Sequence, residues 1–136
     1  METWDKEKVK KSKKNLEGAN LKDMDLSCID LKNANLISAN LTSADLSGAD
    51  FSGANLFSAK AMRANFKNTN LSGATLQKAN LTRANFEGAN LNSTDLMGAN
   101  LSQAKLAGSD LIRASLVEAS LLEADLTGAD LTEAKL

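Results

Sequence analysis

Proline, histidine and tyrosine are missing from this 136-residue sequence, and cysteine and tryptophan occur once each. Without histidine there is no imidazole base and no imidazole metal ligand, which removes the commonest machinery of acid–base and zinc chemistry. The lone Cys28 cannot close an internal disulfide, which fits a reducing compartment, and it falls at an expected turn with nothing beside it to activate the thiol. No run approaches the roughly 18 consecutive apolar residues that a membrane span needs. The lysines between Lys6 and Lys14 are not followed by an apolar stretch of the secretory type, so a soluble cytoplasmic protein is expected. A net charge of -1 speaks against direct nucleic-acid binding by the molecule as a whole.

What the chain has instead is leucine and alanine in a strict order. From Leu16 to Leu136 every fifth residue is Leu, apart from Phe51, Ala61, Phe66 and Phe86. The residue two before it is nearly always Ala, with Met24, Ile29, Thr69, Thr94 and Ser109 as exceptions, and Asp or Asn usually stands between. Ala79 to Leu91 shows the unit without interruption.

A period of five excludes the two simplest elements. A helix advances about 100° per residue, so successive leucines would be rotated by about 140° and spread around the whole surface. A continuous strand alternates faces, so an odd period would throw successive leucines to opposite sides. A short extended piece does fit, with Ala and Leu pointing inward, the Asp or Asn outward, and the next two residues turning the chain. Gly48, Gly53, Gly73, Gly88, Gly98, Gly108 and Gly128 all fall on the second residue after Leu, where a tight turn calls for positive φ.

This A(D/N)LXX tandem array resembles the pentapeptide repeat family over residues 16–136, about nine tenths of the chain. The resemblance implies an all-β fold, a right-handed quadrilateral β-helix (solenoid) with four units per coil and about six coils. Twenty-residue echoes such as Arg63 with Arg83 and Phe66 with Phe86 agree with four units per coil. At the ~4.8 Å spacing of paired strands, six coils make a rod ~29 Å long. Met24 and Ile29 point to a widened interior near its N-terminal end. Ala61 points to a weak coil unless Met62 or a neighbouring Phe fills the space. Residues 1–15 lie outside the repeat and form either a cap, with Trp4 folded over the first coil, or a solvated lysine-rich tail; Met1, Trp4 and Val9 are the only apolar residues before the repeat.

With the interior assigned, function must be written on the outside. Stacking by twenty places Ile37, Phe57, Gln77, Met97 and Val117 in one outer column, and adjacent faces add Met62, Ile112 and Leu122. These seven apolar residues, Ile37, Phe57, Met62, Met97, Ile112, Val117 and Leu122, form the candidate protein interface. The chain stops at Leu136 without a polar cap, and family members that pair through their terminal coils make a homodimer through the last two coils the expectation.

Charge is uneven: residues 84–136 hold eight acidic side chains against three basic ones. Asp30 with Asp50 and Asp110 with Asp130 are expected to repel across one coil, with Asn70 and Asn90 between them forming an amide ladder. These carboxylates sit on an exposed face with no pocket to shift them, so no catalytic residue, metal or cofactor is expected, nor a small-molecule substrate. The reading is a non-enzymatic structural or interaction module that presents a rigid face to a protein partner. The alternative is a DNA-mimicking binder of a type II topoisomerase such as DNA gyrase, which the acidic second half supports and the nearly balanced total charge opposes.

Overall fold

The computed structural model describes residues 2–136; Met1 lies outside the described residues. One unit, Asn80 to Ala84, shows why the repeat has its composition, because all five of its backbone N–H groups can be accounted for. The Asn80 N–H donates back to Ala59 O at 2.9 Å, and the Leu81 and Arg83 N–H groups donate forward to Asn100 O at 2.8 Å and Ser102 O at 2.9 Å. The Ala84 N–H closes a turn on Leu81 O at 3.0 Å. Only the N–H of Thr82 lacks a backbone carbonyl, and the side-chain oxygen of Asn80 accepts it at 3.2 Å. Asp or Asn between Ala and Leu is therefore the acceptor for the one donor that the coil leaves over.

The same pattern recurs along the chain, with parallel bridges from Asn20↔Asn40 to Ser115↔Lys135. Every bridge joins residues twenty apart, so four units close one turn of the coil. Among the described residues β pairing is confined to these single-residue bridges, and two residues of each unit form a turn. The second residue after each Leu-position residue has φ between 55° and 70°, and the Ala-position N–H bonds back to the Leu carbonyl, as a type II turn requires. Glycine fills eight of these positions and side chains as long as Arg83 and Glu118 fill others, so glycine marks only part of the turn set.

The interior is a column of fully buried leucines with Phe51, Phe66 and Phe86 inserted. The rings of Phe66 and Phe86 stack at 4.6 Å, 4° from parallel, and Phe51 meets Phe66 edge-on at 6.3 Å. Ala61 is fully buried in the same stretch. Met62 is 38% exposed and turned toward solvent, so it does not fill the volume that Ala61 removes, and the buried phenyl rings are the large side chains inserted in that stretch. At the N-terminal end Ile29 is buried, while Met24 is only partly so and packs against the core from its margin. The polar intruders Thr69 and Thr94 each donate a hydroxyl to a backbone carbonyl, of Leu46 and Leu71, at 2.8 Å; Ser109 does so to Leu106 at 2.7 Å.

Ahead of the coil lies one helix, α1 (Lys6–Lys11), capped by Asp5, whose carboxylate accepts the Lys8 N–H at 2.8 Å. Val9 is fully buried and joins the core, and Trp4 packs partly buried against it under the Lys8 ammonium. Lys6 donates to Ser27 O at 2.6 Å and Lys13 lies 3.7 Å from the Asp30 carboxylate. Three of the leader's lysines are thus engaged in holding it to itself or to the first coils. At the opposite end Leu121, Leu126 and Leu131 are only partly buried.

Candidate functional site

Each coil has four corners, formed by the two residues after Leu, and side chains there stack at the twenty-residue register. At one corner the N–H groups of Ser38, Ser58, Lys78 and Gly98 donate to the carbonyls of Phe57, Gln77, Met97 and Val117 at 2.8–3.0 Å. Ile37, Phe57, Met97 and Val117 therefore share one column, which Gln77 interrupts. Ile37, Phe57 and Val117 are half-buried and Met97 is 40% exposed, while the Lys78 ammonium sits 5.9 Å from the Phe57 ring centre. Met62 and Leu122 stand on the next corner, separated by Thr82 and Ser102, and Leu122 is 67% exposed. Ile112, half-buried, belongs to the corner on the other side. The seven candidates thus divide into a column of four and three outliers.

Sequence reasoning missed a second feature. At Lys60, Thr75, Lys105, Ser115 and Ser120 the Asp or Asn acceptor is replaced, and among the described residues the N–H groups of Met62, Gln77, Ala107, Val117 and Leu122 have no partner within the chain. Three of the seven outer apolar residues therefore carry a free backbone donor. The signal was present in the repeat as a departure from Asp or Asn two residues before an outer apolar residue. It has no meaning until the role of that side chain is known.

The acidic ladders are calmer than like-charge stacking suggests. Asp30 pairs with Asp50 and Asp110 with Asp130 across one coil, as the register requires. The carboxyl of Asp30 is nevertheless held below the usual range, first by the Lys32 N–H, and this outweighs the repulsion from Asp50. The hydroxyl of Ser52 does the same for Asp50, Ser27 for Asp25, Thr127 for Asp125 and Thr132 for Asp130. Asn70 and Asn90 use their carboxamide oxygens to accept the N–H groups of Ser72 and Asn92. Between outward Asp and Asn side chains of the described residues, the bond that runs along a column is instead Asn65 Nδ2 to Asp45 Oδ1, at 3.3 Å.

Comparison with known proteins agrees with this architecture. The family described as Pentapeptide repeats (8 copies) matches residues 15–53, 64–103 and 94–132. Among curated proteins none matches the chain. Among solved structures, a pentapeptide repeat protein from the Arabidopsis thaliana thylakoid lumen is 34% identical, with a TM-score of 0.67 over 68% of this chain and 65% of that one. A pentapeptide repeat protein of the cyanobacterium Cyanothece 51142 is 36% identical, with a TM-score of 0.51 over 76% of this chain and 65% of that one. The match therefore spans 65% of the length of each of these two proteins. QnrB1, a plasmid-mediated fluoroquinolone resistance protein, shares the fold at 20% identity and a TM-score of 0.58, covering 85% of this chain and 68% of its own. Proteins of this kind imply a right-handed quadrilateral β-helix. By its repeat, its twenty-residue closure and these matches, the chain belongs to the pentapeptide repeat family.

Proposed function

We propose that the protein is a non-enzymatic interaction module of the cytoplasm, a rod of about six coils that presents a lateral face to a protein partner. In this reading residues 1–15 act as a cap and residues 16–136 as the rod. The observation that carries it is the outer column of Ile37, Phe57, Met97 and Val117, flanked by Met62, Ile112 and Leu122. The aligned pairs Ile37 with Phe57 and Met97 with Val117, on either side of Gln77, offer apolar area on a regular surface, and the N–H groups of Val117 and Leu122, unpartnered among the described residues, suit a partner's carbonyls. The half-exposed leucines of the last coil support pairing with a second copy through that end.

The test is capture of a partner from the native cell in high salt, using wild type and the Phe57→Asp and Val117→Asp variants. Loss of the partner in both variants, with thermal melts unchanged, is the expected result. Retention in both overturns the lateral face as the binding surface. The DNA-mimic alternative rests on the acidic character of residues 84–136 and predicts salt-sensitive binding to DNA gyrase. Lys60, Arg63, Lys67, Lys78 and Arg83 at mid-rod, none in an ion pair among the described residues, interrupt the continuous negative surface that such mimicry needs.

A further inference from the structure

The corner next to the apolar column carries Asp23, Ser43, Arg63, Arg83, Gln103 and Glu123 in vertical order, each twenty residues from the next. Stacked corner residues satisfy one another where they can: Arg113, on another corner, donates to Glu133 one coil on at 3.0 Å. Arg83 finds only the neutral Gln103, donating to its Oε1 at 2.7 Å, and the residue one coil beyond Arg63 is Arg83 itself. Among the described residues Lys8, Lys13, Lys32 and Arg113 form ion pairs, and Lys60, Arg63 and Arg83 are among the twelve basic side chains that form none. A cleft of about 340 Å³ opens here, lined by Met62, Arg63, Thr82, Arg83 and Gln103.

The backbone at this corner makes an independent second observation. In most units the N–H of the residue after Leu is held by an outward Asp or Asn oxygen, as Asn80 holds Thr82. Lys60 stands where that oxygen should be, so among the described residues Met62 presents an N–H that no side-chain acceptor holds. Lys60, Met62 N–H, Arg63 and Arg83 are all donors, and three of them are cationic. An anionic acceptor is the complement of such a donor set.

Resting on the reading of the rod as a protein-interaction module, we infer that the Arg63–Arg83 cleft binds a carboxylate of an acidic segment in a partner protein. One carboxylate oxygen takes the Met62 N–H, in the place that Asp or Asn holds elsewhere, while guanidinium donors hold the other. An apolar residue next to that carboxylate rests on the exposed thioether of Met62. A protein carboxylate is favoured over a nucleic-acid backbone because the cationic patch is only about two coils tall. A polyphosphate continuing along the rod would meet Glu123, Asp125 and the rest of the acidic second half.

The test is a two-dimensional NMR titration of the full chain with an acetylated peptide containing Leu-Glu-Glu, a matched Leu-Gln-Gln peptide, and a duplex oligonucleotide. The Leu-Glu-Glu peptide is expected to shift the Met62 amide and the Arg63 and Arg83 Nε–H signals, with weaker binding at higher salt and no saturable shift from Leu-Gln-Gln. Arg63→Gln and Lys60→Asn are each expected to weaken it by about tenfold or more, the cost of a lost charge-assisted contact. Lys60→Asn should at the same time raise the melting temperature, because Asn returns an acceptor to the Met62 N–H. Phe57→Asp and Val117→Asp should leave peptide binding unchanged, so this inference and the lateral-face reading fail separately. Equal shifts from both peptides, insensitivity to both variants, or duplex binding tighter than the peptide at these same residues would overturn it.

Discussion

At Gly88 a Cβ would stand 2.5 Å from Oδ1 of Asn68 one coil away, while at Gly73 a Cβ would meet nothing within 4 Å. Both residues have φ near +67°, so both substitutions to Ala incur the left-handed cost of about 1–2 kcal/mol, and only Gly88→Ala adds a clash. Urea unfolding is expected to rank Gly88→Ala below Gly73→Ala, and Asn68→Ala should remove the difference; equal stabilities would show that Asn68 simply moves aside. The outward carboxylates make a second prediction at this scale. Hydrogen bonds lower the pKa values of Asp25, Asp50, Asp125 and Asp130 in the folded state. Their stabilising contribution is thus complete above the unfolded carboxylate value of about 3.9 and lost as pH falls through the lower folded values. The melting temperature should hold from neutrality to about pH 5 and fall below about pH 4. Asp125→Asn with Asp130→Asn should change little at neutral pH, since Asn70 accepts the same pair of donors from Ser72, and should flatten the acid limb. A melting temperature that rises on acidification contradicts this account.

At the scale of the element, the coil around Ala61 tests whether the phenyl rings fill the interior. Phe51 precedes Ala61 by ten residues, half a coil, so it enters the core from the opposite side, and Phe66 follows on the next side. If their rings occupy the space a leucine would take, Ala61→Leu overpacks the layer and destabilises by about 1–3 kcal/mol. A stabilised Ala61→Leu in urea unfolding would mean that the layer holds a void. Helix α1 is short and strongly basic, so its folding depends on Val9 in the core and Trp4 against the first coil more than on propensity.

Over the whole molecule, each coil touches only its neighbours, so stability accumulates along the column and weakens toward the half-exposed leucines of the last coil. That gradient gives the pairing proposal a direct test. Light scattering at micromolar concentration should report a dimer for wild type and a monomer for Leu122→Glu, whose side chain lies at the exposed margin. A wild-type monomer, or a dimer that survives Leu122→Glu, would place the contact elsewhere or remove it. The charge gradient acts at the same scale: the acidic second half bounds the mid-rod cations on their C-terminal side.

The sequence by itself determined the interior. A period of five with Ala and Leu two apart leaves almost no other way to bury the leucines, and so the core positions, the turn sites and the outward positions were legible in the sequence. Three things depended on tertiary closure. The role of Asp and Asn emerged only when every N–H of a unit had been assigned, because the leftover donor is invisible in a list of residue types. Positive φ at Arg63, Arg83 and Glu118 was hidden, since coil geometry imposes it whether or not glycine is there. Above all, five-residue units look alike to any local rule, and only hydrogen bonds between residues about twenty apart decide which side chains stack. That register bears out the column of Ile37, Phe57, Met97 and Val117 that four units per coil implies, and it leaves Arg63 beside Arg83 with no ion pair among the described residues.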